Sequence, residues 1–349
     1  MKSLLIFYKE SVTMEIEDYY DRKQMIPREM KQGVWKLMKV ASMFSGIGGI
    51  DLAFQTAGFD IVWSNEKDAA ACKTYRYNFP STNLIEGDIR NIDANAIPSF
   101  DVLVAGFPCQ SFSTAGFQKG FKDPRGNLFF EIIRVIKVHK PKIVFLENVE
   151  NIIEHDKQKT FLRIFNELAE CGYDVKYKTM QPLEYAGVPQ RRKRIFIIAF
   201  KSLELCDQFS YPDKCDNQKT IFDIIDFSKK QHSVYYYNDS YANFGNLVSS
   251  VHKGKIYSIR DNGTLYCSGK ICPTLIAGMG KFPERIPIVM DDYGIRKLTV
   301  RECLRFQGFP ETYRISRDVA IEDAYKQIGN TVCVPVVQRI AEEIMKILK

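Results

Sequence analysis

An α/β fold followed by a second, mainly β unit is what this sequence predicts, and three observations carry the prediction. From Lys39 to Phe200, short apolar or β-branched runs alternate with amphipathic stretches, the pattern of parallel strands joined by crossover helices. Between residues 201 and 295 the alternation dissolves into chain rich in Tyr, Asn, Asp, Ser and Gly, with short strand-like pieces such as KIYSIR and RIPIVM and no long helix. The final VVQRIAEEIMKIL is amphipathic and predicts a helix packed back on the first unit.

Taken in order, residues 1–36 are polar and charge-mixed, with Glu15, Glu17, Asp18 and Asp21 ahead of Arg22, Lys23, Arg28 and Lys31. They read as one or two short helices outside the main core. VASMF is then a strand, SGIGG a glycine-rich turn and DLAFQTAGF a helix. DIVWSNE is a strand closing on Glu66, DAAACKTYRYNF a helix, and Asp88 in EGDI closes a third strand. DVLVAGF, KIVFLENV, DVKYKTM and RIFIIAF supply further strands, with helices FFEIIRVIKVHK and FLRIFNELAECG between them.

Composition narrows the function classes. The 349 residues carry 49 Lys+Arg and 42 Asp+Glu, so the net charge is 49 − 42 = +7, which permits a nucleic-acid partner. A 45% hydrophobic and 26% charged chain is ordinary globular usage, which excludes wholesale disorder. No apolar run approaches the ~18 residues of a membrane helix. The early LLIFY run is too short for a signal peptide. Nine cysteines without CxxC or Cys/His pairs argue against a disulfide framework and a zinc site, and for a reduced cytoplasmic protein without a metal.

Four stretches carry candidate chemistry. FSGIGG, residues 44–49, lies between strand and helix, where glycines let the backbone turn tightly and the helix N-terminus offers unpaired amides. Acids closing the second and third strands, Glu66 and Asp88, suit an adenosine better than a bare phosphate. The spacing is not GxGxxG and no Walker lysine is present, so NAD and ATP are less supported. GFPCQSFS, residues 106–113, puts Cys109 in a polar loop at the carboxyl end of a strand, behind Pro108 and ahead of Gln110. A nucleophile there needs a lowered thiol pKa or a neighbouring proton acceptor. LENVENI, residues 146–152, brings Glu147 and Asn148 to the same sheet edge, where partial burial would raise the carboxyl's pKa and suit it to proton donation. QRRKR, residues 190–194, runs into a strand, and alternation puts Arg192 and Arg194 on one side, towards Cys109 and Glu147, with Lys193 on the other.

With these blocks in this order, the chain closely resembles the DNA (cytosine-5)-methyltransferases, above all the bacterial enzymes of restriction-modification type. FSGIGG, GFPCQSFS, ENV and QRRKR look like the family's first, fourth, sixth and eighth motifs. RKLTVRECLRFQGFPETY, residues 296–313, looks like the ninth, and AYKQIGNTVCVPVV, residues 324–337, like the tenth. The resemblance spans residues 39–349. It implies a class I S-adenosylmethionine-dependent, Rossmann-like methyltransferase domain over residues 39–200, to which residues 321–349 return. A smaller target-recognition domain, residues 201–320 including the ninth-motif segment, is inserted, and residues 1–38 are an extension.

The resemblance also implies roles. Phe44 would pack on adenine, Gly46, Gly48 and Gly49 would shape the cofactor loop, and Glu66 would bind the ribose hydroxyls. Asp88 would meet the adenine amine, Ile89 the adenine face, and Asn330 and Val332 the methionine end. Cys109 would attack carbon 6 of a cytosine flipped from a specific duplex sequence, with Pro108, Gln110 and Asn148 in the same catalytic group. Glu147 would serve the ring nitrogen, Arg194 the carbonyl oxygen, and Arg192 the placing of the thiolate and Glu147. Thr274 would lie near the flipped nucleotide's phosphate, with Lys253, Lys255 and Arg260 as further candidate DNA contacts. Lys67 stands where many relatives carry Trp, so one wall of the adenosine pocket differs. The product is S-adenosylhomocysteine, the partner double-stranded DNA, and the protein a monomer that shares its site with an endonuclease without touching it. Cytosine-5 methylation of transfer RNA and a catalytically silent DNA-binding relative are the alternatives. GFPCQSFS and the insert's size weigh against the first, and the intact Cys109, Glu147, Arg192 and Arg194 against the second.

Overall fold

Alternating burial sorts the central strands between two cores. Val40, Val102, Val104, Ile143, Phe145, Phe196 and Ile198 face one side, while Ala41, Leu103, Ala105, Val144, Leu146, Ile195 and Ile197 face the other. Strands that are apolar on both faces must be covered on both, which is what the helices between them do. The structure, a computed structural model, describes residues 37–107, 128–216, 219–241, 244–259 and 263–349. The expected helices of residues 1–36 and the whole Cys109 loop lie outside the described residues.

The first part of the chain runs β1 (Lys39–Met43), α1 (Gly49–Thr56), β2 (Asp60–Glu66), α2 (Ala69–Asn78), β3 (Asn83–Glu86), β4 (Val102–Gly106), α3 (Leu128–His139), β5 (Ile143–Val149), α4 (Lys159–Glu170), β6 (Asp174–Met180), α5 (Pro182–Ala186) and β7 (Arg194–Phe200). Its seven strands form one sheet in the order β3-β2-β1-β4-β5-β7-β6. Strands β1 to β5 pair in parallel, but β7 is antiparallel to both β5 and β6. The expectation of parallel pairing throughout is corrected there. The 181–193 connection holds one short helix, so the chain turns back instead of crossing over the sheet. The reversal brings the first residue of β7 to the edge where β4 and β5 end, with Gly106 opposite Glu147 and Val149 opposite Arg194.

Beyond β7 follow α6 (Leu203–Gln208), α7 (Phe244–Ser250), β8 (Ile256–Ile259), β9 (Leu265–Gly269), α8 (Gly278–Lys281), β10 (Ile288–Asp291), β11 (Gly294–Lys297), α9 (Val300–Phe306), α10 (Ile321–Asn330) and α11 (Val334–Leu348). β8 to β11 form a second, antiparallel sheet in the order β11-β10-β8-β9. Tyr257, Ile288 and Ile295 pack with Leu247 in a small core of their own, while Ile256 and Val289 join the first core of the large sheet. On that side α1 contributes Ala53 and Phe54, α9 Leu304 and Phe306, and α11 Val337, Ile340 and Ile344. The opposite side is covered by Phe129, Ile132 and Ile136 of α3 and by Phe161, Ile164 and Leu168 of α4. No helix among the described residues is long and apolar enough to cross a membrane.

Candidate active site

The glycine turn is shaped by what surrounds it. Gly46 and Gly48 have φ of +56° and +80°, a region that L side chains avoid. A Cβ on Gly48 would lie 2.3 Å from the Phe79 ring, and one on Gly49 would lie 2.2 Å from Thr331 Oγ1. Gly48 and Gly49 are therefore packed against the α2 end and the turn after α10, with no room for a side chain, whereas Gly46 faces open space. Phe44 is itself left-handed, at φ +57°, a conformation that costs on the order of 1–3 kcal/mol and recurs at ligand sites.

Beneath the turn sits a buried carboxylate that sequence reading missed. Asp51, in the first turn of α1, accepts hydrogen bonds from Ser42 Oγ (2.6 Å), Ser64 Oγ (3.0 Å) and Tyr75 OH (2.5 Å). Burial raises its pKa against the pull of those bonds. The network ties α1 to β1, β2 and α2, so the loop starts from a fixed base. Its Ser, Ser and Tyr partners are scattered over residues 42–75 and carry no spacing signal.

Glu66 ends β2 and accepts from the backbone N–H of Gly46 at 2.8 Å and from those of Lys67 and Asp68 at 2.7 Å. Of about four acceptor directions on a carboxylate, these occupy three and leave one for a ligand hydroxyl. Asp88 lies beyond the end of β3, not at its close, and caps the short 3₁₀ turn Ile89–Asn91. It is held by Arg90 and by Lys67, the latter at 2.8 Å, and these cations keep its carboxyl well below the ordinary carboxylate range. Lys67 thus closes over the acid expected to meet an amine.

Phe44, Gly46, Gly49, Glu66, Asp88, Ile89, Asn330 and Val332 line one cleft of about 610 Å³, together with Glu147, Asn148, Arg192 and Arg194. That volume is in the range of small-molecule pockets. A strand-end acid, a glycine cradle and a second acid fit a nucleoside cofactor of the S-adenosylmethionine kind. Gly48 shapes the turn from outside the cleft lining. Asn330 is exposed, while Thr331 and Val332 are buried against Gly49.

At the other end of the cleft, Glu147 and Arg194 form an ion pair with Arg194 Nε 3.2 Å from Glu147 Oε1. Burial pushes the Glu147 carboxyl up, opposed by the charge of Arg194 and then of Arg192. Asn148 Nδ2 donates to the carbonyl of Phe107 at 3.2 Å, which fixes the point where the chain leaves β4 towards Cys109. Pro108, Cys109 and Gln110 themselves lie outside the described residues, as does Arg260.

Arg192 precedes β7 rather than alternating within it. Its buried guanidinium donates to the carbonyls of Leu275 (2.6 Å), Gly329 (3.1 Å) and Thr331 (2.6 Å). Gln190 and Gln307, which sequence reading did not single out, continue the stitching. Gln190 Nε2 donates to the Phe306 carbonyl and the Gln307 side chain, and Gln307 Nε2 to the Ile328 carbonyl. The Thr274 hydroxyl donates to the Arg191 carbonyl, beside this junction. Lys253 stands apart, paired with Asp292 and lining a different surface cleft with Phe222 and Arg305. Neither it nor Lys255 lines the cleft of Glu147.

Residues 38–346 match the family described as C-5 cytosine-specific DNA methylase. The chain is 42% identical over 314 residues to the Type II methyltransferase M.Bsp6I of Bacillus sp. (strain RFL6), covering 89% of this chain and 99% of that protein. It is 35% identical over 312 residues to the Type II methyltransferase M.HhaI of Haemophilus parahaemolyticus, covering 88% and 94%. In fold it is similar to the Entamoeba histolytica methyltransferase EhMeth, with a TM-score of 0.71 at 19% identity over 90% of this chain and 100% of that one. The S. pombe Dnmt2 methyltransferase gives a TM-score of 0.68 at 20% identity, again over 90% and 100%.

Proposed function

The chain belongs to the C-5 cytosine-specific DNA methylase family, and from that premise we propose that it methylates one cytosine of a short duplex sequence through a covalent Cys109 adduct. It is an S-adenosylmethionine-dependent DNA (cytosine-5)-methyltransferase by family. The finer reading rests above all on one observation. The Glu147–Arg194 pair is held at the edge of the sheet in one cleft with the glycine loop, next to the point where the Cys109 loop begins.

The steps assign each group a proton or an electron pair. Cys109, as thiolate, adds to carbon 6 of the cytosine, and its electron pair makes carbon 5 nucleophilic. Glu147, whose carboxyl burial keeps protonated to higher pH, donates to the ring nitrogen as charge builds there. Arg194 holds the carbonyl oxygen beside that nitrogen. S-adenosylmethionine, when bound, supplies an electrophilic methyl to carbon 5 and leaves as S-adenosylhomocysteine. Transfer of the carbon 5 proton to solvent water, with return of the ring-nitrogen proton to Glu147, then re-forms the double bond and expels the Cys109 thiolate.

Phe44, Glu66, Asp88 and Ile89 would hold the adenosine, and Asn330 and Val332 the methionine end. The target base reaches the cleft only if it leaves the helix stack. Residues 39–200 and 321–349 would form the catalytic domain and residues 201–320 the target-recognition domain, with Thr274 near the target phosphate. The enzyme would act as a monomer and protect a site that a separate endonuclease cuts.

Tritiated cofactor with mixed-sequence duplex DNA, followed by digestion to nucleosides, is expected to label 5-methylcytosine. Label in N4-methylcytosine, or in RNA only, overturns the reading. Bisulfite sequencing of the same library identifies the recognition sequence. Cys109→Ala is expected to abolish turnover while leaving DNA binding by gel shift in place.

A further inference from the structure

Arg192 is a cleft-lining side chain whose hydrogen bonds run to two other segments at once. One arm of its guanidinium meets Leu275 and the other meets Gly329 and Thr331. These segments differ in what they face. Gly329, Asn330, Thr331 and Val332 line the cleft with Glu66 and Asp88, whereas residues 273–277, all described, do not. The two are also in direct contact. A Cβ on Gly329 would lie 2.1 Å from the Ile276 carbonyl carbon and 2.3 Å from the Ala277 nitrogen. On the Leu275 side, the Leu275 N–H donates to Gln190 Oε1 at 3.3 Å and Thr274 donates to the Arg191 carbonyl.

We infer that Arg192 is a positioning residue that couples the two halves of the site: a ligand ordering the 329–332 turn also orders the 273–277 loop, through the guanidinium fork. The inference rests on the cofactor reading above and adds that the 273–277 loop responds to what binds against the 329–332 turn. The reason is geometric. Carbonyls of both segments converge on one planar, always-charged group, which a shift of either segment must disturb. A ligand that restrains one partner lowers the ordering cost of the other.

The test is amide hydrogen exchange on the full chain with and without S-adenosylhomocysteine, whose binding is followed separately by calorimetry. In the wild type, exchange at residues 274–277 is expected to slow by a factor of about 5 or more, the lower end of ordinary coupling. Arg192→Lys keeps the charge near Glu147 but replaces the fork with a point donor. At S-adenosylhomocysteine concentrations that calorimetry shows to saturate each protein, the variant is expected to lose the protection at 274–277. Binding without that protection in the wild type overturns the inference alone, even if the variant does not fold. Protection that persists in Arg192→Lys overturns the role of Arg192. Absence of any S-adenosylhomocysteine binding overturns the cofactor reading, and this inference with it.

Discussion

Two arginine–carboxylate clusters in this protein show what separates a charge that acts from a charge that holds. Arg296, with a fully buried side chain, donates through Nε to Asp291 at 2.6 Å and through both terminal nitrogens to Glu302 at 2.8 Å. Glu302 also accepts from the Thr299 N–H, while Thr299 Oγ1 accepts from the Glu302 N–H, the reciprocal capping box of α9. Every oxygen there has a partner. Glu147, by contrast, has among the described residues one ion pair, to Arg194 at 3.2 Å, and its side chain is 12% exposed. Desolvation without saturating hydrogen bonds raises a carboxyl's pKa, the direction that suits a proton donor. The saturated cluster fastens β10 and β11 to α9, and the other lines the cleft, where the proposed reaction would use it.

Substitutions can break that contrast in either direction. The largest expected effect is Glu147→Gln, which lowers kcat by about 10²–10⁴ in a methyl-transfer assay. Burial holds the Glu147 carboxyl above its ordinary range, so the folded protein keeps that proton where the unfolded chain has released it. The stability tied to this group is therefore complete below the ordinary carboxylate pKa and lost as pH rises through the raised one. Turnover that uses the proton falls in the same direction. Melting curves across that window are expected to be flatter for Glu147→Gln than for the wild type, and a variant as pH-sensitive as the wild type would refute the assignment.

Next comes Arg296→Met, which strands two buried carboxylates and is expected to cost about 3–5 kcal/mol in urea unfolding. Because the site does not use Arg296, affinity for S-adenosylhomocysteine in the folded protein stays unchanged. The smallest effect is that of Thr299→Ala, which removes one half of the capping box and is expected to cost about 1 kcal/mol with no change in turnover. A stability loss from Glu147→Gln as large as that of Arg296→Met would erase the distinction between the clusters.

Local pattern reaches some of this and stops at identifiable places. DIVWSNE, DVKYKTM and RIFIIAF are legible as strands to the residue, because alternation and β-branching are local properties. The glycine end of the cleft is legible in part: the glycines and Glu66 stand at strand ends that the same pattern defines, while Asp88 lies beyond the end of β3. The direction of β7 is not, because pairing direction depends on how the 181–193 connection folds. Alternation suggested one environment for Arg192 and Arg194, yet only Arg194 lies within the strand. The partners of Arg192 are carbonyls from residues 83 and more positions away, which carry no side-chain signature. Asp51 looks like any acid in a first helical turn until Ser42, Ser64 and Tyr75 are seen around it.

The close seating of Gly49 against Thr331 and Val332 has a consequence for how the protein comes into being. The glycine turn is synthesised 282 residues (331 − 49) before Thr331, which walls it in. At about 5–20 residues per second, a nascent chain spends many seconds with its cofactor loop synthesised and unroofed. A translation cut short between residues 147 and 321 yields a polypeptide that still contains Cys109 and Glu147 yet lacks Thr331 and Val332. Only a chain that has reached Thr331 and Val332 can wall in the glycine turn.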